Sequence, residues 1–274
     1  MINDPGIKSC FSFAGKFRLY PAAAFLCLSL SALFLASCAR VQEYQPGRAM
    51  PVTPGQRVIL PRQDITHIVG PGETLWRISK MYDVRMSDIT GANDLSAKPV
   101  LKMGQRLLVP RAAPVKPIIP LYPTRKWKYI IIHHSATEED NALSLFQMHL
   151  RRGFDNGLGY DFLIANGTRG KKDGQIEVSP RWLKQMDGAH CKASNMNSRG
   201  IGVCLVGNFS RDGLGEEQMD SLVYTVNILR KYYSIPLKNI MGHGQVPGAR
   251  TECPGKYFPY NEFFSRLRSA GREN

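Results

Sequence analysis

Two adjacent histidines, a third histidine and a cysteine are the residues of this 274-residue chain whose types and spacing could do chemistry. IIIHHSA places His133 and His134 after a strongly apolar run, and GHGQVPGARTECPG holds His243 and Cys253 in a loop rich in Gly and Pro. Catalytic zinc takes three ligands from His, Cys and carboxylates and keeps a fourth position open for water. Ligands need rigid supports, which a buried strand and a stiffened loop provide. The sequence therefore predicts a metal site, against the alternative of a surface loop with an incidental His and a buried Cys.

Strand geometry limits how the adjacent histidines are used. Successive strand residues point to opposite faces, so only one of His133 and His134 can face a site, and alternation does not say which. His190, in the segment GAHC, either lies at the cleft and contacts substrate or has a hydrogen-bonded structural role. His67 and His149 are interpreted as ordinary surface or helix-end residues.

Alternating strand and helix patterns surround these candidates. KYIIIHHSA is a β-branched run that predicts a buried strand, and GYDFLIANG and RGIGVCLVGNF predict two more. Helices are predicted over residues 140–151, with Thr137 as the candidate N-cap, and over residues 216–233. This order predicts an α/β domain with a mixed central β-sheet flanked by helices.

A module of about 45 residues precedes this domain. Its pattern predicts a strand over residues 66–69, a helix capped by Thr74, a second helix from Ser87 to just before Asn93, and a closing strand that ends at Pro110. The order is βααβ. With the motif G-x-T-L-W-x-I-S, this module resembles LysM domains over nearly its whole length.

The LysM resemblance implies a function for the small module. LysM modules bind glycans that contain N-acetylglucosamine, chiefly peptidoglycan and chitin. By analogy the sugar groove lies between the loop of residues 72–75 and the loop near residues 99–101. Trp76, as a residue of the family's helix, is expected in the core rather than against sugar. The candidate glycan-binding residues are Gly72, Thr74 and Leu75.

Four ordered motifs of the larger domain carry a second resemblance. IIIHHSAT, GLGYDFLI, GAHC followed by IGVCLVGNF, and GHGQVPGARTECPG are similar, in type and order, to the zinc-dependent N-acetylmuramoyl-L-alanine amidases. That family includes phage lysozyme-type amidases and animal peptidoglycan recognition proteins. The similarity runs from about Trp127 to Phe258. It implies a peptidoglycan recognition protein-like fold and hydrolysis of the amide bond between the lactyl group of N-acetylmuramic acid and L-alanine.

Carried over position by position, the resemblance implies a Zn²⁺ site with three protein ligands. These would be His133, His243 and Cys253, and His134 would then pack or bond behind the strand. A structural zinc site is an alternative, but such sites are normally four-coordinate and closed. The sequence offers no clear candidate for a fourth Cys or His ligand.

The same resemblance implies the residues around the metal. Tyr160 matches the tyrosine that family members place beside it, and Thr251 falls where some members have a catalytic Lys and others a Thr. A Thr there brings no fixed positive charge, so the proton for the departing amine would come from Tyr160, His190 or water. Tyr160 and Thr251 are the candidate catalytic residues, and His190 and Asn195 the candidate substrate-binding ones.

The N-terminus predicts export and lipidation. A basic region precedes the apolar run of residues 22–35, which is too short for a comfortable membrane-spanning helix and is typical of a signal peptide. The run ends in LASC, which resembles a bacterial lipobox with Cys38 as the lipidated residue; a plain secretory signal is the alternative. Ala39 after the lipid predicts the periplasmic side of the outer membrane in a Gram-negative envelope.

The remaining boundaries follow from composition. We predict a signal peptide over residues 1–37, a tether over 38–64, the LysM domain over 65–110, a Pro-rich semi-rigid linker over 111–125 and the zinc amidase domain over 126–270. The net charge of +14 favours polyanionic surroundings. Because no nucleic-acid motif is present, peptidoglycan and the membrane are the expected partners, and we expect a monomer.

Three thiols lie beyond the predicted lipid site: Cys191, Cys204 and Cys253. Export permits disulfides, and one pairing would join Cys191 to Cys204, although Cys204 also suits a core position in IGVCLVG. The leading hypothesis for function is a lipid-tethered wall amidase. The alternative is a non-catalytic peptidoglycan-binding or wall-anchoring lipoprotein; such relatives typically lack the cysteine ligand, which favours the enzyme here.

Overall fold

The computed structural model describes residues 61–124 and 126–271. The predicted signal peptide, the lipid site at Cys38 and nearly all of the tether lie outside the described residues. Among the residues described, no helix has the length and apolar character needed to cross a membrane.

The small N-terminal domain has the predicted βααβ order. Its elements are β1 (Gln63–Ile68), α1 (Leu75–Tyr82), α2 (Met86–Ala92) and β2 (Arg106–Ala112), and β1 pairs antiparallel with β2. The Thr74 hydroxyl accepts a hydrogen bond from the Arg77 N–H at 3.3 Å, which confirms Thr74 as the N-cap of α1. The core is formed by apolar side chains of both helices and both strands, including Ile78, Ile89 and Leu107.

Three expectations about this domain were wrong. Strand β2 continues past Pro110, because the pairing register shifts there into a bulge, and a bulge tolerates a residue without an N–H. Trp76 is 54% exposed, because the face of α1 that carries Leu75 and Ile78 is the one turned inward. His67 is only 2% exposed, and its ring nitrogens lie 3.1 Å from the Tyr82 hydroxyl and 2.8 Å from Glu73.

The larger domain is built on a five-stranded mixed sheet, which confirms the predicted fold class. The strand order is β5-β4-β6-β3-β7; four strands run parallel and β5 is antiparallel to β4. The elements are β3 (Tyr129–His134), α3 (Ala142–Arg151), β4 (Phe162–Asn166), β5 (Asp173–Val178), α4 (Pro180–Leu183), α5 (Met196–Arg199), β6 (Gly200–Leu205), α6 (Glu216–Tyr232), β7 (Ile240–Gly242) and α7 (Tyr260–Ser269).

Strand β3 lies between two parallel neighbours and positions the candidate ligands. Ile130, Ile131 and Ile132 are completely buried, as expected for a parallel strand covered on both faces. The carboxyl ends of β3, β6 and β7 meet at one edge of the sheet, so the residues after these strands lie close together. His133 and His134 end β3 at that edge.

Helix α3 starts differently from its predicted N-terminus. The cap is Asn141, not Thr137: the Asn141 side chain accepts a hydrogen bond from the Ser144 N–H at 2.9 Å, and the Ser144 hydroxyl accepts one from the Asn141 N–H at 3.1 Å. This reciprocal pair is a capping box, which satisfies two helix-end donors at once. Thr137 instead donates to Asp140 at 3.0 Å.

The Pro-rich segment between the domains is bonded to both. On the side of the small domain, the N–H groups of Ala113 and Lys116 donate to the carbonyls of Tyr82 and Met81 at 2.9 and 2.8 Å. On the side of the larger domain, the Trp182 indole N–H donates to the Pro120 carbonyl at 2.7 Å. We call residues 113–124 the strap. The sequence predicted a semi-rigid spacer, and these bonds tie the strap to both neighbours.

A buried ion pair lies at the contact between the two domains. Lys171, which precedes the edge strand β5, lies 3.0 Å from Glu177 and donates to the Ile68 carbonyl of β1 at 3.2 Å. Glu177 also accepts the Ala142 N–H at 2.9 Å. Both charged side chains are almost completely buried, and the Lys171 bond to Ile68 joins the small domain to the segment before β5.

Candidate metal centre

Three side chains distant in sequence converge at the carboxyl end of β3. Their nearest ligand atoms, one each from His133, His243 and Cys253, all lie within 4.8 Å of one another. Nδ1 of His133 is 3.7 Å from Sγ of Cys253, and the rings of His133 and His243 are 4.7 Å apart between centroids. The structure therefore brings together the three candidate ligands that the family resemblance implies.

The loop between His243 and Cys253 is folded back on itself. His243 begins a 3-10 turn (His243–Gln245) directly after β7, and the Gly244 N–H donates to the Cys253 carbonyl at 2.7 Å. A Cβ at Gly244 would lie 2.4 Å from the Thr251 carbonyl oxygen, so only glycine permits this approach. The exposed Thr251 uses its hydroxyl to accept the Cys253 N–H at 3.2 Å. Thr251 thus shapes the loop that holds the thiol.

His133, not His134, carries the side chain that faces the site. The His134 ring points to the other side of the sheet, where its Nδ1 accepts the Phe209 N–H at 3.2 Å. The backbone N–H of His134 is directed at the Cys253 sulfur, 3.4 Å away. Strand alternation left this choice open, and the structure agrees with the family resemblance.

His190 lies behind His133 and is 8% exposed. Its Nδ1 is 3.0 Å from Nε2 of His133, and its Nε2 is 3.1 Å from the Gly200 carbonyl. Burial lowers the pKa of His190 to about 4; the Gly200 bond opposes this and the charge of His243 adds to it. Since both ring nitrogens already have protein partners, the geometry favours the hydrogen-bonded role over a contact with substrate.

The segment after His190 is held by an asparagine that the sequence reasoning missed. Oδ1 of Asn197 accepts the N–H groups of His190 and Cys191 at 2.8 and 2.7 Å. The predicted Asn195 is exposed, with a left-handed backbone. Both asparagines belong to the segment NMN, residues 195–197. The backbone turn before α5 determines which of the two side chains points inward, and no clear sequence pattern predicts that turn.

Tyr160 lies beside the three candidate ligands. Its ring is 5.1 Å from that of His133 between centroids. Burial, together with the neighbouring thiols of Cys204 and Cys253, raises the pKa of Tyr160 well above its usual value. The hydroxyl therefore keeps its proton and is a hydrogen-bond donor at neutral pH.

The three described cysteines are all free and buried. The suggested pairing of Cys191 with Cys204 is wrong: Cys204 packs with Leu158 and Val206 on one side of the sheet, whereas Cys191 packs with Ile131 in a different cluster. In the metal-free protein, burial raises the pKa of Cys253 to about 12, although the His134 N–H opposes this rise.

Asp161, next to Tyr160, is a buried carboxyl that the sequence reasoning did not single out. Its Oδ2 accepts the Gly202 N–H at 2.8 Å, whereas its buried Oδ1 has no hydrogen-bond partner. Burial raises the pKa of Asp161 to about 7, even though the Gly202 N–H and the charges of Lys126 and Arg181 act to lower it. A protonated carboxyl needs less solvation than a charged one, which suits this enclosed position.

The donor set fits zinc. Two imidazoles and one thiolate are ligands that Zn²⁺ prefers, and tetrahedral zinc at ordinary bond lengths separates a nitrogen from a sulfur ligand by about 3.5 Å. The observed separation between His133 Nδ1 and Cys253 Sγ is 3.7 Å. The ligands are supplied by a strand end and a stiff loop, and a buried thiol becomes thiolate readily only beside a cation.

The predicted glycan-binding loop of the small domain lies near the larger domain. Gly72 and Thr74 are exposed, whereas Leu75 is buried in the LysM core. Gly72 has a left-handed backbone, and a Cβ added there would lie 3.1 Å from the Leu183 side chain of α4. One wall of the predicted groove thus adjoins α4.

Comparison with known proteins identifies both domains. Residues 123–256 match the family described as N-acetylmuramoyl-L-alanine amidase, and residues 67–110 match the LysM domain. The chain is 32% identical over 108 residues to "Peptidoglycan-recognition protein 2" of Holotrichia diomphalia, an alignment that covers 36% of this chain and 52% of that protein. It is 27% identical over 164 residues to the N-acetylmuramoyl-L-alanine amidase of Sus scrofa, covering 53% of this chain and 24% of that protein. The chain thus spans about half the length of the first relative and about a quarter of the second.

Solved structures are similar over the same region. The endolysin N-acetylmuramoyl-L-alanine amidase LysCS from Clostridium intestinale is 30% identical, with a TM-score of 0.44, covering 52% of this chain and 84% of that one. Wild-type PGRP-LB of Drosophila is 24% identical, with a TM-score of 0.38, covering 53% and 81%. The larger domain has a mixed α/β fold and contains the region that matches the N-acetylmuramoyl-L-alanine amidase family. The chain therefore joins a LysM domain to a domain of the N-acetylmuramoyl-L-alanine amidase family.

Proposed function

We propose that the protein hydrolyses the amide bond between N-acetylmuramic acid and L-alanine in peptidoglycan, with Zn²⁺ bound by His133, His243 and Cys253. The convergence of these three ligand atoms within 4.8 Å, with Tyr160 beside them, carries the proposal. The retained cysteine ligand favours catalysis over mere binding. Three protein ligands leave a fourth coordination position for water, as in other catalytic zinc sites.

Tyr160, Thr251 and His190 have different roles in the proposed reaction. When bound, zinc supplies Lewis acidity and brings the pKa of a coordinated water to about 7. The Tyr160 hydroxyl donates a hydrogen bond to the oxyanion that develops on the scissile carbonyl. Thr251 holds the ligand loop through the Cys253 N–H. His190 is bonded to protein at both ring nitrogens, so Tyr160 or water supplies the proton for the departing amine.

We propose that the LysM domain binds the glycan strand of the same substrate. Attachment through one domain raises the effective concentration of cleavable bonds near the other. Gly72 and Thr74 are the exposed candidates for this contact. With lipid on Cys38, the protein would lie on the periplasmic side of an outer membrane, where peptidoglycan is within reach.

Substitution of the sulfur ligand tests the proposed chemistry. Cys253→Ala is expected to abolish both zinc retention and release of stem peptides, while binding of the protein to insoluble peptidoglycan persists through the LysM domain. Zinc analysis and mass spectrometry of muropeptides after incubation provide the readouts. Glu252→Ala, at an exposed neighbouring position, is the matched control and keeps both properties.

The outcomes separate two functions. Undiminished hydrolysis by Cys253→Ala would falsify the ligand assignment. Binding to peptidoglycan by a wild-type protein that is loaded with zinc but releases no peptide would support the non-catalytic, wall-anchoring alternative.

A further inference from the structure

The two hydrogen bonds of His190 determine where its ring hydrogen lies. A backbone carbonyl only accepts, so the contact with the Gly200 oxygen at 3.1 Å requires a hydrogen on Nε2 of His190. A neutral imidazole carries one ring hydrogen, so Nδ1 of His190 is then an acceptor. The partner 3.0 Å from that acceptor is Nε2 of His133, which must donate.

We propose that His190 is a positioning residue that fixes the tautomer of His133 with its hydrogen on Nε2, so that Nδ1 of His133 is the atom that binds the metal. The assignment agrees with the direction of the ring: Nδ1 of His133 faces the Cys253 sulfur at 3.7 Å, whereas Nε2 faces away from it toward His190. This inference rests on the proposed zinc site.

The surroundings of His190 hold its ring in one orientation. A Cβ added to Gly188 or to Gly202 would lie 2.4 or 2.6 Å from Cδ2 of the ring, so the imidazole sits against both glycines. Asn197 fixes the backbone N–H of His190 from the other side. The ring therefore cannot turn to exchange its two nitrogens without moving these neighbours.

A charged His190 would reverse the direction of the bond. An imidazolium has hydrogens on both nitrogens, so it would donate to His133 Nε2 and leave His133 with its hydrogen on Nδ1, where a metal cannot bind. Among the described residues, no carboxylate is hydrogen-bonded to the His190 ring to stabilise an imidazolium; its two ring partners are His133 and the Gly200 carbonyl.

The direct test is the tautomer of His133 in the metal-free wild-type protein. Two-bond ¹H–¹⁵N correlation spectra of histidine-labelled protein at pH 7.5, assigned with His133→Gln, distinguish the two neutral forms. We expect the form with hydrogen on Nε2 for both His133 and His190. A hydrogen on Nδ1 of His133, or a doubly protonated His190, would overturn the inference.

A pair of substitutions tests the consequence for the metal. His190→Leu removes the acceptor, and we expect zinc affinity to fall by about 10- to 100-fold, as for other partners of metal-bound histidines. His190→Asn carries an amide oxygen close to the position of Nδ1, and we expect affinity within a few-fold of wild type. Affinity is measured by competition with a zinc chelator, and the melting temperature of each metal-free variant reports on folding.

The results distinguish this inference from the proposed function. If His190→Leu and His190→Asn lost zinc affinity equally, and their melting temperatures fell equally, His190 would have a structural role and the positioning role would be overturned. A wild-type protein that takes up no zinc would sink the proposed function itself, which the tautomer spectra of the metal-free protein do not depend on.

Discussion

Tyr160 and Asp161 are neighbours in sequence, yet their side chains serve opposite needs. Tyr160 borders the candidate metal site as a neutral donor, whereas Asp161 is completely buried and one of its oxygens has no hydrogen-bond partner. Alternation along the chain separates the two. Under the proposed function, we therefore expect Tyr160 to affect the reaction rate and Asp161 to affect stability.

For Tyr160→Phe we expect zinc retention equal to wild type and a turnover number lower by about 10²- to 10³-fold, because the loss of one oxyanion donor typically has this effect. Zinc analysis and a muropeptide hydrolysis assay measure the two quantities. An unchanged rate would remove Tyr160 from the mechanism.

The Asp161 carboxyl makes stability depend on pH. Its pKa is raised to about 7 in the folded protein, so its contribution is fully present below the ordinary aspartate pKa of about 3.9 and is lost as pH rises through about 7. Asp161→Asn does not titrate. The free energy of unfolding of the variant, relative to that of wild type, should therefore increase by up to about 4 kcal/mol between pH 4 and pH 8.

Denaturant titrations of the metal-free proteins at several pH values measure this difference. Asp155→Asn, at an exposed position, is the matched control for the change of side chain. A stability difference between Asp161→Asn and wild type that stays constant across the range would contradict the raised pKa.

Single side chains show what a sequence can and cannot predict. The types and spacing of His243 and Cys253 predicted the candidate metal site because zinc chemistry restricts the residues that can serve as ligands. The choice between His133 and His134 needed either the resemblance or the structure. His67 and Trp76 were misplaced because the side of a short element that faces inward depends on packing between elements of the small domain, which its local sequence does not show.

At the scale of elements, strands β3, β4 and β6 were predictable because long apolar runs specify buried parallel strands. Strand β5 was not: its sequence, DGQIEV, is polar, and it forms because it pairs with β4 and packs against α6. The N-cap of α3 was misassigned because Thr137 and Asn141 are both good capping residues. Only the backbone turn selects Asn141.

The edge strand β5 depends on a charge pair that is hidden from water. Lys171→Met would leave Glu177 buried beside an apolar side chain, and breaking such a pair costs about 3–5 kcal/mol. We expect a loss of that size in the free energy of unfolding, measured by denaturant titration. Lys172→Met, at the exposed neighbouring position, should have little effect, and the double variant Lys171→Met/Glu177→Gln should recover part of the loss. Equal effects of the two single variants would refute a special role for Lys171.

For the whole molecule, the order of domains was predictable, but their attachment was not. Five prolines in a short stretch are typical of a spacer, and composition does not reveal that Trp182 and Tyr82 bond to the same stretch. Such contacts join residues far apart in sequence, and no local pattern encodes them.

The proposed lipid anchor is tested on the full-length chain. Cys38→Ala is expected to move the protein from the membrane fraction to the soluble fraction of the cells that produce it, because the thiol that would carry lipid is gone. Immunoblots of both fractions and a radiolabelled fatty acid report the change. Continued sedimentation of the variant with membranes would argue against lipid at this position.

The strap gives the two domains a common orientation. Under the proposed function, a cell-wall polymer bound by the first domain would therefore reach the second domain in one orientation and at one distance. The amide bonds that the protein cleaves would then recur at intervals set by the distance between the glycan-binding surface of the LysM domain and the candidate active site.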